Sequence, residues 1–310
     1  MRIGIDLGGT NIAGGLVRDD GTLIYKTSSP TVSDKGERGL LLAILDVVKH
    51  LIDRAGSEEI SYIGIGVPGH VDNTTGTVIY CNNIPFENTP LADFITNETG
   101  LPCYLGNDAN AAALAEVLVG AAKEYDDAVM ITLGTGVGAG LIVNKKIHAG
   151  SNGAAGEIGH ISLYPDGLEC KCGRRGCFEL YASATALIRQ TREAMQAHPE
   201  SRLWEVSKTL DAVNGKTSFD AMRLGDEVAE GVVTQYVRYL ATGILDIINL
   251  LCPKAIILGG GLAKEGENLL APIRDIVKKE CYSDYGKQTE FLIAELGNDA
   301  GIIGAAFLGD

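Results

Sequence analysis

Residues 157–177 hold the densest set of chemistry-bearing side chains in this sequence. Glu157-Ile-Gly-His160 is followed by Cys170-Lys-Cys172 and then by Cys177. One imidazole and three thiols in so short a stretch supply the donors of a tetrahedral zinc ion. Gly173 and Gly176 give the turns that a tight knuckle needs, and Glu157 and Glu179 stand on either side of it. Four protein ligands close the site, leaving no position for a reacting water, so its expected role is structural. The alternative is three free thiols brought close by coincidence.

Two glycine-rich turns, Gly8-Gly9-Thr10 and Gly134-Thr135-Gly136, each put small residues directly after an apolar run. Without Cβ atoms such turns tighten and aim N–H groups at a phosphate oxygen, and the two threonines add hydroxyl donors. Gly259-Gly260-Gly261 repeats the arrangement after a third apolar run. Either loop alone reads equally as an ordinary hairpin; the three together point to phosphates. Neither is a P-loop, since no Gly-Lys-Ser/Thr follows. A strand follows the first loop, which excludes the dinucleotide fingerprint.

Asp6 sits just before the first turn and would either organise a hydrated Mg²⁺ or accept hydrogen bonds from backbone donors. Gly106-Asn107-Asp108 lies between a strand and an alanine-rich helix. A carboxylate there can take the proton of a hydroxyl attacking a γ-phosphate. It can equally serve as the N-cap of the helix. Asn107 is placed to orient a substrate.

The elements that must position these groups alternate. Strands are expected at 2–7, 12–18, 22–27, 63–67, 102–105, 129–133, 139–143, 255–258 and 291–294. Helices are expected at 40–51, 91–99, 109–118, 179–196, 230–249, 269–281 and 300–308, and 197–225 is polar and mixed. Ile5-Asp-Leu-Gly-Gly and Ile131-Thr-Leu-Gly-Thr-Gly each precede a second apolar strand. They form a degenerate internal repeat, explained by two similar α/β domains or by chance likeness of two hairpins.

The 310 residues, 45% of them hydrophobic, suffice for two domains with a large core. Against 26 basic residues stand 40 acidic ones, and the formal charge of −14 disfavours nucleic acid as a partner. The most apolar run, 241–251, is too short for a bilayer and holds Asp246 and Asn249, so no membrane span is expected. Met1 runs directly into a strand, with no signal peptide in view. Seven cysteines, three clustered and the others scattered in apolar or mixed settings, suggest a reducing compartment and a metal rather than disulfides.

From Asp6-Leu-Gly-Gly-Thr10 to the last helix, and most specifically in Glu157-Ile-Gly-His160 with Cys170-Lys-Cys-Gly-Arg-Arg-Gly-Cys177-Phe-Glu179, the chain resembles the ROK family of sugar kinases and repressors. The resemblance implies an α/β protein of the actin-like ATPase (ribonuclease H-like) fold, two α/β domains flanking a cleft. The first domain would span 1–118 with about 300–310, and the second 119–299 with a zinc-binding insertion at 160–177. ATP with Mg²⁺ would meet Asp6, Gly8, Gly9, Thr10, Asn11, Thr132, Gly134, Thr135, Gly136 and Gly138. Its adenosine would lie near Gly259, Gly260, Gly261 and Leu262. Asp108 matches the catalytic base. Gly69, Asn82, Asn83, Asn107, Glu157, His160 and Glu179 match or border the sugar-binding positions, so His160 would serve zinc through one ring nitrogen and sugar through the other. Zinc would take His160, Cys170, Cys172 and Cys177.

The segment 149–160 is most similar to the family's glucokinases, which implies transfer from ATP to the C6 hydroxyl of glucose. Asn82-Asn83-Ile-Pro85 departs from their Asn-Leu-Gly-Trp-like segment. N-acetylmannosamine, N-acetylglucosamine, fructose and allose are the competing sugars. A non-catalytic sugar sensor is the competing class, but such regulators carry a helix-turn-helix domain ahead of the body, and Asp6 already lies in the first hairpin. A homodimer or homotetramer in the cytoplasm, feeding glycolysis, completes the expectation.

Overall fold

The structure, a computed structural model, describes every residue except Asn82, so the expectation placed on that asparagine lies outside the described residues. Strand β1 (Arg2–Leu7) turns at Gly8 into β2 (Asn11–Val17), antiparallel, with Arg2 opposite Val17 and Leu7 opposite Ile12. β3 (Leu23–Pro30) closes a meander and alternates half-buried with exposed residues, as an edge strand should. Helix α1 (Gly36–Ala55) buries Leu40, Ile44, Val48 and Leu51, one stripe at helical spacing. β4 (Ile63–Val67) runs parallel to β1, with every residue buried. Then come β5 (His70–Asp72), β6 (Thr77–Tyr80) and β7 (Glu87–Thr89), followed by α2 (Leu91–Thr99), β8 (Cys103–Asn107) and α3 (Asp108–Leu118). The sheet order is β3-β2-β1-β4-β8.

The arrangement then returns. β9 (Ala128–Leu133), β10 (Val137–Val143) and β11 (Lys146–Ile147) form a second meander. Helices α4 (Glu179–Ala182), α5 (Ala184–Ala197), α6 (Leu203–Val206), α7 (Thr217–Arg223) and α8 (Glu227–Leu251) precede β12 (Ala255–Gly260). α9 (Glu267–Glu280), β13 (Glu290–Ile293) and α10 (Ala300–Ala305) end the chain. The second sheet runs β11-β10-β9-β12-β13. With β5–β7 set aside, both sheets read third, second, first, fourth, fifth, so the repeat at Ile5 and Ile131 is a repeat of topology.

The chain divides into two compact units: Met1–Val129 with Gly140–Gly156 and Glu295–Asp310, and Met130–Ala139 with Glu157–Ala294. In the first, α10 lies on β1 and β4 at backbone contact. A Cβ on Gly4 would stand 1.9 Å from the Ile302 carbonyl oxygen, and one on Gly64 1.7 Å from that of Ala305. These two residues are paired in register, so any side chain there would lift α10 off the sheet.

Glu116 on α3 is fully buried, yet its carboxylate accepts backbone N–H bonds from Ala121 (2.9 Å), Glu295 (3.2 Å) and Leu296 (2.9 Å). It ties the segment leaving α3 to the one entering α10. Glu116→Ala removes the partner of three part-buried donors, and we expect it to cost about 2 kcal/mol in urea unfolding. Glu116→Gln, which still accepts, should cost less.

Two departures from the sequence reading have local causes. The helix expected over 179–196 is broken at Ser183, whose backbone is extended (φ −78°, ψ 166°) and whose Oγ caps the next helix by accepting from the Ala186 N–H. The β5–β7 sheet was not expected. Its tight turn is made by Asp72, whose Oδ1 accepts from the N–H groups of Thr74 (2.9 Å) and Thr75 (3.3 Å), before Gly76 at φ 65°.

Candidate functional site

In the first unit, the Gly8 N–H bonds the Asn11 carbonyl (2.9 Å) and closes the first glycine turn, leaving Gly9, Thr10 and Asn11 exposed. Thr31 braces this turn from outside: its Oγ1 donates to the Gly8 carbonyl (2.7 Å) and its N–H to that of Thr10 (2.8 Å). Thr31 escapes sequence reasoning because nothing in its own surroundings marks a partner so distant in the chain.

Asp6 stands at the end of β1 beneath the turn, with Gly301 of α10 so close that a Cβ there would lie 2.6 Å from the carboxyl group. Burial raises the Asp6 pKa, and the charge of Lys26 opposes this only in part. The folded state therefore holds this proton to higher pH than the unfolded chain does. Stability falls as pH rises from the ordinary carboxylate range through the raised folded value. Without Mg²⁺ and nucleotide, Asp6→Asn should be more stable than the parent above that window. The advantage should shrink toward acid pH, as read from urea midpoints between pH 5 and 8.

At the end of β8 the structure shows which residue caps the next helix. The N-cap of α3 is Asn107, whose Oδ1 accepts from the N–H groups of Ala109 (3.0 Å) and Asn110 (3.1 Å). Its Nδ2 donates to the Gly69 carbonyl (3.2 Å), which secures the loop after β4. Asp108, the first residue of the helix, accepts the Ala109 N–H at 2.8 Å and is not the cap. Gly69 is at φ 148°, and a Cβ there would fall 2.3 Å from the Tyr80 carbonyl oxygen and 2.9 Å from the Cys81 sulfur. Burial, with the charge of Asp108 added, pushes the Cys81 thiol up to about 11. That neighbour was not singled out from sequence. Asn83 is exposed beyond β6.

In the second unit, Thr132 lies on β9, and Gly134 and Thr135 are exposed in the turn before β10, where Gly138 follows. The Gly134 carbonyl accepts the Ala184 N–H at 2.9 Å, so the break at Ser183 anchors the turn to α5. A Cβ on Gly136 would meet the Glu179 carboxylate at 2.5 Å. Gly260, at φ 86°, backs onto the Leu133 carbonyl, where a Cβ would come within 2.5 Å. Gly259 is buried behind it, Gly261 is exposed, and Leu262 is buried in the short turn that follows.

Glu157 is exposed, and its carbonyl accepts the His160 N–H (3.1 Å) in a single turn. Gly173 at φ 88° and Gly176 at φ 74° fold the following segment back, with the Cys170 N–H on the Arg174 carbonyl and the Leu163 N–H on that of Gly176 (both 2.8 Å). This brings His160, Cys170, Cys172 and Cys177 together, their ligand atoms all within 4.8 Å of one another. The Cys172 and Cys177 sulfurs are 3.6 Å apart, and Cys170 Sγ is 3.7 Å from His160 Nδ1. Tetrahedral zinc thiolates hold their sulfurs about 3.8 Å apart, so the set fits that ion. Burial, then the neighbouring thiols, push Cys177 up to about 12, whereas the Arg174 N–H lowers Cys172. A bound cation would take the three thiols as thiolates, displacing their protons. The Glu179 carboxylate abuts this cluster, 3.4 Å from Cys170 Sγ and 3.7 Å from His160 Nδ1. His160 turns its Nδ1 toward the sulfurs. All seven cysteines are free thiols, and no described helix is long and apolar enough to cross a membrane.

The chain is 36% identical to a glucokinase of Thermotoga maritima, over 98% of this chain and 95% of that one. It is 38% identical to a glucokinase of Streptomyces coelicolor, over 99% and 97% respectively. A crystal structure of a ROK family glucokinase from Streptomyces griseus, in complex with glucose and AMPPNP, superposes with a TM-score of 0.80 at 37% identity, covering 99% of this chain and 98% of that one. The fold is thus the actin-like ATPase fold of the ROK sugar kinases, which explains why one sheet order occurs twice. The family model of the ROK family matches residues 2–310, and the chain belongs to the ROK family.

Proposed function

We propose that the protein is an ATP-dependent glucokinase that transfers the γ-phosphoryl group of ATP to the C6 hydroxyl of glucose. The observation that carries this reading is the junction of β8 and α3, where Asn107 caps the helix and Asp108 opens it at the carboxyl end of the strand. Full-length likeness to proteins named glucokinases, and to one holding glucose with an ATP analogue, supports the substrate pair.

Asp108 accepts the proton of the attacking hydroxyl, and Asn107 and Gly69 hold the loops around it. Glu157, His160 through Nε2, and Glu179 hydrogen-bond sugar hydroxyls, and Asn83 is a further sugar-side residue. The N–H and hydroxyl groups of Gly8, Gly9, Thr10 and Asn11, and of Thr132, Gly134, Thr135, Gly136 and Gly138, hold the phosphates and stabilise charge developing on them. The segment Gly259, Gly260, Gly261 and Leu262 receives the adenosine. Asp6 would hold a magnesium ion brought in with the nucleotide, and that ion would supply neutralisation of phosphate charge. His160, Cys170, Cys172 and Cys177 would hold a structural zinc ion, which would fix the knuckle that carries His160 and Glu179. The domains in this reading are 1–118 with about 300–310, and 119–299, in a cytoplasmic homodimer or homotetramer that supplies glycolysis.

The test is a coupled ADP-release assay with Mg-ATP against glucose, mannose, N-acetylglucosamine, N-acetylmannosamine, fructose and allose, with a no-sugar control. A specificity ratio dominated by glucose upholds the reading. Preference for an N-acetylated sugar would shift the substrate and point to Asn83-Ile-Pro85 as the discriminator, and release that no sugar stimulates would remove the kinase assignment.

A further inference from the structure

The segment 149–156 leads directly into Glu157 and carries three glycines at positive φ: Gly150 (75°), Gly153 (83°) and Gly156 (96°). Ser151, Asn152 and Ala154 are exposed, and the segment's internal bonds are few: the Ala155 N–H to the Ala149 carbonyl (3.0 Å) and the Ala154 N–H to Asn152 Oδ1 (3.3 Å). A chain so rich in glycine has much conformational freedom to lose. It is held from outside by β5. His70 Nε2 lies 2.8 Å from the Asn152 carbonyl oxygen, which only accepts, so the ring donates and its proton is on Nε2. Gly153 fits against the same strand, where a Cβ would fall 2.4 Å from the Val71 carbonyl oxygen. His70 also stands opposite Tyr80 at the end of β6, from which the chain passes to Cys81 and Asn83, and it follows Gly69, whose carbonyl binds Asn107.

We propose that His70 is a positioning residue for sugar binding: through the Asn152 carbonyl it fixes the glycine-rich loop that delivers Glu157. The inference rests on the reading that Glu157 contacts the sugar. It is a property of this chain's own strand β5 and makes no use of the metal cluster.

Three readouts on His70→Ala and His70→Gln test it. Loss of one hydrogen bond that orders a binding loop should raise the glucose KM about fivefold in His70→Ala, with kcat and the ATP KM held within about twofold. Amide exchange should quicken over 150–156 and stay unchanged in the core strands. Glutamine offers an N–H donor of similar reach, so His70→Gln should recover most of the glucose KM and the slow exchange. A purely structural role would instead lower Tm and kcat together without a selective change at 150–156. Unchanged glucose KM and unchanged exchange in His70→Ala would overturn the proposal. If the wild-type protein phosphorylates none of the sugars, the functional reading fails by itself. Exchange over 150–156 would then still decide the latch, faster exchange in His70→Ala upholding it and unchanged exchange overturning it.

Discussion

Asp108→Asn should lower turnover on glucose by about three orders of magnitude while leaving glucose affinity within a few-fold, because a positioned general base contributes about 10²–10⁴ in rate. The amide oxygen of asparagine can accept the Ala109 N–H that Asp108 Oδ1 accepts now at 2.8 Å. The helix cap is carried by Asn107 and does not depend on residue 108. What the variant loses is the capacity to take a proton, together with one negative charge beside Cys81. A coupled ADP-release assay measures the rate, and calorimetric titration with glucose measures the binding. Wild-type-like turnover would remove Asp108 from the role of base. Loss of glucose affinity as large as the loss of rate would make it chiefly a sugar ligand. Asn107→Ala is the contrasting variant: it should weaken the α3 cap and free the Gly69 loop, lowering stability as well as activity.

The local chemistry of this comparison was legible in the sequence only in part. Glycine turns after apolar strands, and thiols with glycines at 173 and 176, are short-range signals, and the structure gives both the local geometry they call for. The two hairpins were readable for the same reason, since β1–β2 and β9–β10 are sequence neighbours joined by their turns, whereas β11, two residues long, was not. Which of Asn107 and Asp108 caps α3 was not readable, because both are good caps and the choice turns on where each side chain points. The small sheet β5–β7 was hidden by strands too short to show a period, and its turn rests on a single aspartate. Thr31 beneath the first glycine turn, Cys81 beside Asp108, and Gly4 and Gly64 under α10 act through residues far away in the chain, and no local pattern announces them.

Cys172→Ala should release the zinc, destabilise the knuckle and raise the glucose KM more than the ATP KM. Cys172 is the informative ligand because it is exposed, whereas Cys170 and Cys177 are buried. Truncating it removes a donor and creates no cavity, so the effect reports the metal and not lost packing. Without the ion the segment keeps hydrogen bonds such as the Cys170–Arg174, Leu163–Gly176 and Gly176–Leu168 backbone pairs and those of Ser162 Oγ and the Arg174 and Arg175 guanidinium groups to backbone carbonyls. Such bonds are worth about 1 kcal/mol each, too little to hold a glycine-rich loop in one shape. Glu179 and His160 are the groups that then lose their frame, one lying against the Cys170 sulfur and the other presenting Nδ1 to it. Gly136 packs on Glu179, so a smaller effect should reach the second glycine turn and the nucleotide. Zinc content by elemental analysis, Tm, and nicking by a protease over 166–175 give three independent readings. Stripping the wild-type protein with a strong chelator should reproduce the variant, and adding zinc back should restore the wild type but not Cys172→Ala. A zinc-free variant with wild-type Tm and glucose KM would show that the knuckle stands without metal.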